Sequence, residues 1–228
     1  ALENICAASA AVIIFVKIIF LPQQFPASFI QSLQAVPGFD KEGFLHAHSS
    51  ATAITSVRIN PAKPFLFSDS SLTIEQTVPW CLYGYYLTER PFFTHDPLLH
   101  EGAYYVQEAS SMFLWHTLKQ MVGEKTTGIK VLDLCAAPGG KSTLLSSYFA
   151  NGLVVANEVI KQRANILCEN ITKWGMPNVI VTNNDPADFA RLGNYFDVIV
   201  IDAPCSGSGL FRKDPEAVYE WGEENVMH

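Results

Sequence analysis

The chain has 228 residues, 49% hydrophobic and 16% charged, which is enough apolar material for one large or two small domains with hydrophobic cores. Its formal net charge of −7 excludes a protein that grips nucleic acid through a uniformly basic surface. The five cysteines include no C-x-x-C pair, which argues against a disulfide framework and a zinc site and fits a reducing, cytoplasmic location. We predict no metal site.

Residues 1–20 form an apolar segment that Lys17 interrupts. The uninterrupted stretch, residues 7–16, is too short to cross a bilayer, and the acidic start lacks the basic region of a signal peptide. We therefore expect no membrane contact from this segment and treat it as an unassigned extension that precedes the predicted domains.

Residues 21–100 are predicted to form a small α+β region. Apolar residues recur at helical spacing in its first part, and an alternating pattern typical of a half-buried strand follows. The predicted helices cover 25–36 and 41–47, and the predicted strand covers 55–60. Tyr104, Tyr105 and Phe113, just beyond this region, are predicted to pack in a core or between domains rather than to stack on RNA bases.

Residues 101–228 are predicted to form an α/β domain. The predicted strands cover 129–134, 153–156, 179–182 and 196–201. The predicted helices cover 106–122, 141–149 and a segment whose apolar face carries Ile160, Ala164, Leu167, Ile171 and Trp174, with Cys168 as a small core residue. This alternation predicts a Rossmann-like, doubly wound, mainly parallel sheet, in which ligands bind at the carboxyl ends of the strands.

The segment 131–143, VLDLCAAPGGKST, joins a predicted strand to a predicted helix through a turn of small residues. Such a turn leaves backbone N–H groups free at the helix N-terminus, where anionic or polar ligands bind. The dinucleotide fingerprint G-x-G-x-x-G does not fit, and a phosphate-binding P-loop would need glycine where Cys135 stands. The third interpretation is the S-adenosylmethionine turn of a Rossmann-like methyltransferase.

Acidic residues follow each of the four predicted strands, and together they favour one nucleoside site over separate helix caps. These residues are Asp133, Glu158, Asp185 and Asp202. Glu158 could accept both ribose hydroxyls of a nucleoside, and Asp185 the exocyclic amine of an adenine. Lys141 is predicted to open a helix and contact a carboxylate. A P-loop protein would use Asp202 for Mg²⁺ but would give no role to Glu158.

The motif DLCAAPGGKST resembles the first motif of the Nol/Nop/Sun family of RNA cytosine-5 methyltransferases. DAPCSGSGLFRKDPEAVYEW at 202–221 resembles the fourth motif of the family's RsmF-like bacterial branch. RINP, PWCLYGYYL and EGAYYVQEASSM resemble the segment that precedes the catalytic domain in that branch, which implies RNA contact by this region. The resemblance implies an enzyme that uses S-adenosylmethionine to methylate a cytosine of ribosomal RNA, expected in the small subunit. The sequence gives no sign of an obligate protein partner.

By the same resemblance, ten residues would hold S-adenosylmethionine. They are Cys135, Ala136, Ala137, Pro138, Gly139, Gly140, Lys141, Glu158, Asp185 and Asp202. Asp202 would also contact the target base. In the family, the thiolate of a Thr-Cys motif adds to carbon 6 of cytosine, which makes carbon 5 nucleophilic, and an earlier cysteine assists product release. Cys205 matches that earlier cysteine.

The sequence ends at His228, before a Thr-Cys motif. We therefore expect these 228 residues alone to lack the attacking cysteine and the last strands of the sheet. They should then be inactive on RNA, with weak or absent cofactor binding. Two alternatives remain open, a nucleotide-binding protein of the P-loop type and a non-catalytic RNA-binding fragment.

Overall fold

The computed structural model describes residues 25–50, 54–203, 207–211, 216–222 and 224. They fall into two compact units, one of residues 1–51 with 208–228 and one of residues 52–207. The extension predicted over residues 1–20 lies outside the described residues. The domain boundary predicted between residues 100 and 101 falls inside the larger unit and stays a prediction. Within the described part of the chain, no helix has the length and apolar character needed to cross a membrane.

The helices and strands predicted from the sequence are present, with ends that differ by a few residues. The helices are α1 Ala27–Gln34, α2 Lys41–Ser50, α3 Pro97–His100, α4 Ala109–Met121, α5 Gly140–Tyr148, α6 Lys161–Trp174 and α7 Ala217–Glu220. The strands are β1 Thr55–Ile59, β2 Ile74–Thr77, β3 Gly84–Leu87, β4 Tyr104–Val106, β5 Lys130–Asp133, β6 Leu153–Asn157, β7 Val179–Thr182 and β8 Val198–Val200.

An aromatic core holds the smaller unit together. Phe29 of α1, Phe211 and Val218 of α7 are all buried. The ring of Phe29 lies edge-on to Phe211 at 5.1 Å and to Trp221 at 5.3 Å, a geometry that aromatic pairs favour. Residues from the two ends of the sequence therefore share one core.

The first sheet of the larger unit is antiparallel, with the strand order β2-β3-β1-β4. Tyr104 is buried in its core, and its hydroxyl donates to Asp96 Oδ2 at 3.0 Å, which confirms the predicted packing role. Phe113 is half exposed, so the predicted core position is wrong for this residue. It lies on α4 away from the buried Met112 and Leu118.

The second sheet is parallel, with the strand order β7-β6-β5-β8, as predicted for a Rossmann-like domain. Helices α4, α5 and α6 pack on the face that carries Val131 of β5 and Val154 of β6. Both valines are fully buried. Because parallel strands end at the same edge, the turns that follow β5 to β8 lie along one side of the sheet.

Helix α6 buries most of its predicted apolar face. Ala164, Leu167, Ile171 and Trp174 are buried, and Gly175 ends the helix with a φ of 78°. Ile160 precedes the helix and is half exposed. The prediction that Cys168 is a core residue is wrong because the buried stripe passes through Leu167, which leaves Cys168 exposed.

The two sheets of the larger unit meet where β1 and α6 come together. Asn60, fully buried after β1, donates from Nδ2 to the carbonyl of Gly102 at 2.9 Å and to that of Trp174 at 2.8 Å. Gly102 has a φ of +72°, and a Cβ placed on it would lie 2.0 Å from the Lys173 carbonyl oxygen. Position 102 therefore requires glycine, because the backbone has a positive φ and because the Lys173 carbonyl leaves no room for a Cβ atom.

Replacing Gly102 with alanine should destabilise the fold more than replacing Gly123. Gly123 has a similar φ of +70°, but a Cβ added to it would meet no atom within 4 Å, so Gly123→Ala should cost only the left-handed backbone penalty of about 1–2 kcal/mol. Gly102→Ala adds the overlap with Lys173 and should cost about 1–3 kcal/mol more. Urea denaturation measures both free energies of unfolding, and equal losses would contradict the proposed close contact.

Candidate functional site

The turn between β5 and α5 is anchored by backbone hydrogen bonds to both neighbouring strands. The N–H of Leu134 donates to the Val200 carbonyl at 3.0 Å, and the N–H of Ala136 donates to the Asn157 carbonyl at 2.8 Å. Gly139 has a φ of +112°, and its Cα lies so close to Leu167 of α6 that a Cβ would approach the Leu167 side chain to 3.2 Å. The sequence therefore needs glycine at position 139.

Side chains of α6 hold the carbonyl groups of the same turn. Arg163 Nη2 donates to the Ala137 carbonyl at 2.9 Å, and Asn170 Nδ2 donates to the Pro138 carbonyl at 2.8 Å. The side chains of Ala136 and Ala137 are buried against α6, so neither methyl group can reach a ligand. The first N–H groups of α5 have no partner within the helix and can donate to a ligand's oxygen atoms.

Asp133 lies at the end of β5 as a buried carboxylate. Its Oδ2 accepts from the Ser142 hydroxyl at 2.7 Å, and its Oδ1 has no hydrogen-bond partner among the described residues. Burial raises the pKa of Asp133 to about 6, against the lowering effects of the Ser142 hydrogen bond and the Lys141 charge. A buried, half-satisfied carboxylate of this kind is characteristic of ligand sites.

Glu158 follows β6 and is almost fully buried. Its Oε1 accepts from the N–H of Ile160 at 3.1 Å, and its Oε2 lies 3.5 Å from Arg163 Nη1. Arg163 thus contacts both the turn carbonyl and the Glu158 carboxylate. The carboxylate is held in one orientation at the strand end, as recognition of a pair of hydroxyls would require.

Asn157 links three of the strand-end turns. Its Nδ2 donates to the carbonyls of Leu134 at 3.3 Å and Asn184 at 3.0 Å, and its Oδ1 accepts from the Asn184 N–H at 3.0 Å. Asp185, the next residue, is exposed and caps a short 3₁₀ helix by accepting from the Ala187 N–H at 2.8 Å. Asp185 therefore belongs to a turn that Asn157 ties to the turn between β5 and α5.

Asp202 lies just beyond β8, and its side chain is 59% exposed. Lys141 of α5 forms an ion pair with it, which agrees with the carboxylate contact predicted for this lysine. The pair places Asp202 beside the first turn of α5. Its exposure leaves carboxylate lone pairs accessible to a further donor.

Three of these carboxylates act on the thiol of Cys135 and therefore lie near one another. Burial is the main cause that raises the pKa of its thiol, and the charges of Glu158, Asp133 and Asp202 raise it further. The thiol is therefore protonated at neutral pH and is poorly suited to act as a nucleophile. Residues 204–206, which include Cys205, lie outside the described residues.

Sequence reasoning missed the supporting residues of the site. The sequence patterns place Arg163, Asn170 and Ser142 only on helices, yet each contacts a group at the strand ends. A polar residue five positions after Glu158, on the helix face beside the turn, is the signal that could have identified Arg163. The sequence also places Asn157 at a strand end, but local spacing does not predict its linking role.

The charges of the site favour a ligand with a cationic part. The three carboxylates of Asp133, Glu158 and Asp202 face two cations, Lys141 and Arg163, each paired with one of them. An ammonium or sulfonium group gains from this excess of negative charge, whereas a nucleoside triphosphate is repelled by it. The P-loop alternative is therefore not favoured. No group of three or more potential metal ligands is arranged around a cation position in the described ranges.

Comparison with known proteins identifies relatives of both parts of the chain. The family described as 16S rRNA methyltransferase RsmB/F matches residues 120–228. The N-terminal domain of 16S rRNA methyltransferase RsmF matches residues 25–109. Residues 110–119, most of α4, lie between the two matches.

Individual relatives agree with these matches. Ribosomal RNA small subunit methyltransferase F of Pectobacterium atrosepticum is 34% identical over 222 residues, which cover 91% of this chain and 45% of the relative. The corresponding protein of Enterobacter sp. is 36% identical over 215 residues, which cover 89% and 43%. This chain thus spans just under half the length of the curated relatives it matches.

A solved structure shares the fold. The crystal structure of PH0851 superposes with a TM-score of 0.75 at 24% identity and covers 89% of this chain and 46% of its own. With both sequence matches pointing the same way, the chain belongs to the RsmB/F family of 16S rRNA methyltransferases and carries an RsmF-type N-terminal domain.

Proposed function

We propose that the complete protein containing this chain transfers a methyl group from S-adenosylmethionine to carbon 5 of a cytosine in small-subunit ribosomal RNA, in the cytoplasm. The observation that carries the proposal is the strand-end site, in which the charges of Asp133, Glu158 and Asp202 all act on Cys135 in the turn that precedes α5. Family membership and the names of the relatives support the reaction and the substrate class.

The residues present fit S-adenosylmethionine. The ligand supplies an electrophilic methyl group on a sulfonium and also carries an ammonium, a carboxylate, two ribose hydroxyls and an adenine. The N–H groups that open α5, with Lys141, suit the carboxylate. Glu158 suits the ribose hydroxyls, and the unpartnered Oδ1 of Asp133 adds negative charge for the cationic groups. Asp185 is proposed for the adenine amine.

The described residues also suit an acceptor base. Carbon 5 of cytosine is a weak nucleophile until a thiolate forms a bond to carbon 6 and the ring electron pair moves to carbon 5. After methylation, loss of the carbon 5 proton returns the electron pair and breaks the sulfur–carbon bond. Asp202, exposed beside α5, is proposed to accept a hydrogen bond from the base, and Cys205 to assist the release step.

The complete protein should incorporate labelled methyl groups into small-subunit ribosomal RNA, with 5-methylcytosine as the product. Cys205→Ala should bind both substrates and accumulate a covalent RNA–protein complex that survives denaturing gel electrophoresis, because the release step fails. Product analysis by mass spectrometry checks the first outcome. RNA binding without methyl incorporation would favour the RNA-binding alternative instead.

Lys141→Met should weaken S-adenosylmethionine binding by about tenfold, equivalent to about 1.4 kcal/mol, because a charge-assisted hydrogen bond to the ligand carboxylate is lost. Its ion pair with the exposed Asp202 contributes less than about 1 kcal/mol to stability, so the fold should persist. Calorimetric titration measures the affinity. Lys161→Met, at an exposed position of α6, is the matched control and should bind normally. Equal losses of cofactor and RNA affinity in Lys141→Met would indicate misfolding and contradict the assignment.

Asp133→Asn should stabilise the fold at pH 7.5 and weaken cofactor binding. The folded-state pKa of about 6 lies above the ordinary 3.8, so the folded chain retains a proton that the unfolded chain releases. Stability therefore falls as the pH rises through this window, and the ionised carboxylate costs the folded state about 3 kcal/mol above it. The substitution removes that cost and also removes the negative charge offered to the ligand.

The pH dependence separates the two effects. In the wild type, S-adenosylmethionine affinity should fall as the pH drops below about 6, because Asp133 takes up a proton. In Asp133→Asn, affinity should be lower but independent of pH in that range. If Asp133→Asn kept the pH dependence of the wild type, a group other than Asp133 would be responsible for the change in affinity.

A further inference from the structure

Arg58 of β1 is a fully buried cation with no carboxylate partner among the described residues. Its guanidinium lies 4.5 Å from the ring centre of Trp174, and its Nη1 has no hydrogen-bond partner in the described part of the chain. Burial lowers the pKa of Arg58 to about 10, so the side chain remains charged at neutral pH. A buried charge without an ion pair is costly to folding.

The hydrogen bonds of Arg58 lead to the first turn of α5. Its Nη2 donates to the Thr143 hydroxyl at 2.5 Å and to the Gly140 carbonyl at 3.2 Å, and its Nε donates to Gln107 Oε1 at 2.8 Å. Gln107 Nε2 donates to the same Gly140 carbonyl at 3.1 Å. Two donors from the antiparallel sheet therefore converge on one carbonyl at the end of the glycine turn.

Fold stability alone does not require a cation at this position. A cation at a helix N-terminus opposes the helix dipole, which places positive charge there already. A neutral side chain could fill the space without the desolvation cost of a guanidinium. The positive charge instead reinforces the potential that the N-terminus of α5 offers to an anion.

We propose that Arg58 and Gln107 are positioning residues that set the affinity of the α5 N-terminus for the carboxylate end of S-adenosylmethionine. The inference rests on the proposed function, since it assumes that this ligand occupies the turn. Arg58 and Gln107 hold the Gly140 carbonyl oxygen. The same peptide group carries the N–H of Lys141, so the two side chains also fix the direction in which this N–H points toward the proposed ligand. Neither side chain needs to touch the ligand, because Arg58 is fully buried and Gln107 nearly so.

The variant Gln107→Glu separates positioning from simple packing. The glutamate keeps an acceptor for Arg58 Nε and pairs the buried charge, which offsets the repulsion between its second oxygen and the Gly140 carbonyl, so the melting temperature should stay close to that of the wild type. It removes the Gln107 donor to Gly140 and neutralises the charge behind the turn. In the complete protein, the Kd and KM for S-adenosylmethionine should rise at least tenfold, while kcat at saturating cofactor and the Kd for RNA change less than threefold.

Two further variants test whether the effect is specific to the contacts with the turn. Arg58→Lys keeps the charge but cannot reproduce the forked donors, so it should raise the cofactor Kd by less than Gln107→Glu does. Lys63→Met is the matched control, because Lys63 also joins the antiparallel sheet to α6, donating to the carbonyls of Glu101 and Lys173, but does not contact the turn. It should lower the melting temperature and leave cofactor affinity unchanged.

Three results would overturn the inference. Wild-type cofactor affinity in Gln107→Glu would show that the pair does not act on the turn. Parallel losses of melting temperature, cofactor affinity and RNA affinity in Gln107→Glu would show a purely structural role. If the unmodified complete protein failed to bind S-adenosylmethionine, the proposed function itself would fail, which distinguishes that failure from the other two.

Discussion

The site depends on a turn that the protein holds in place and that leads into the free first N–H groups of α5. Arg163 and Asn170 of α6 take the carbonyls of Ala137 and Pro138, while strand-to-turn bonds fix Leu134 and Ala136. A helix cannot satisfy its own first N–H groups, so a ligand with acceptor atoms is their natural partner. Because the turn is fixed before binding, no loop has to be ordered when the ligand arrives.

The carboxylates at the strand ends destabilise the empty protein and favour the binding of a cationic ligand. An ionised Asp133 is retained although burial raises its pKa to about 6, and Glu158 and Asp202 add to the repulsion. Such a cluster is unfavourable in the empty protein and becomes favourable when a cationic ligand enters it. The excess of carboxylates over cations also explains why a turn that differs from a P-loop by a single residue is unsuited to a polyphosphate.

The parts of the structure that depend on local periodicity could be predicted from the sequence, and the parts that depend on distant pairs could not. Strands β5 to β8 and the acidic residues that follow them are local signals, and the shared edge of a parallel sheet brings those ends together. The prediction for Cys168 failed because this cysteine lies one position beyond the predicted stripe, about 100° around the helix from the buried Leu167. The contact of Arg58 with Thr143 joins residues 85 positions apart, and no spacing rule could reveal it.

The same charges limit how the proposed RNA substrate can be recognised. Lys141 and Arg163 each pair with a carboxylate, so these two cations among the described residues are already engaged, and the chain as a whole carries a formal charge of −7. Phosphate contacts give affinity without sequence preference, and the part of the site that the structure describes offers little of that affinity. Under the proposed function, discrimination then depends on the base itself, which would leave its stack to meet Asp202. A cytosine in a stable helix must first be unstacked, which costs free energy. The proposed enzyme should therefore prefer cytosines that the RNA structure already leaves unstacked.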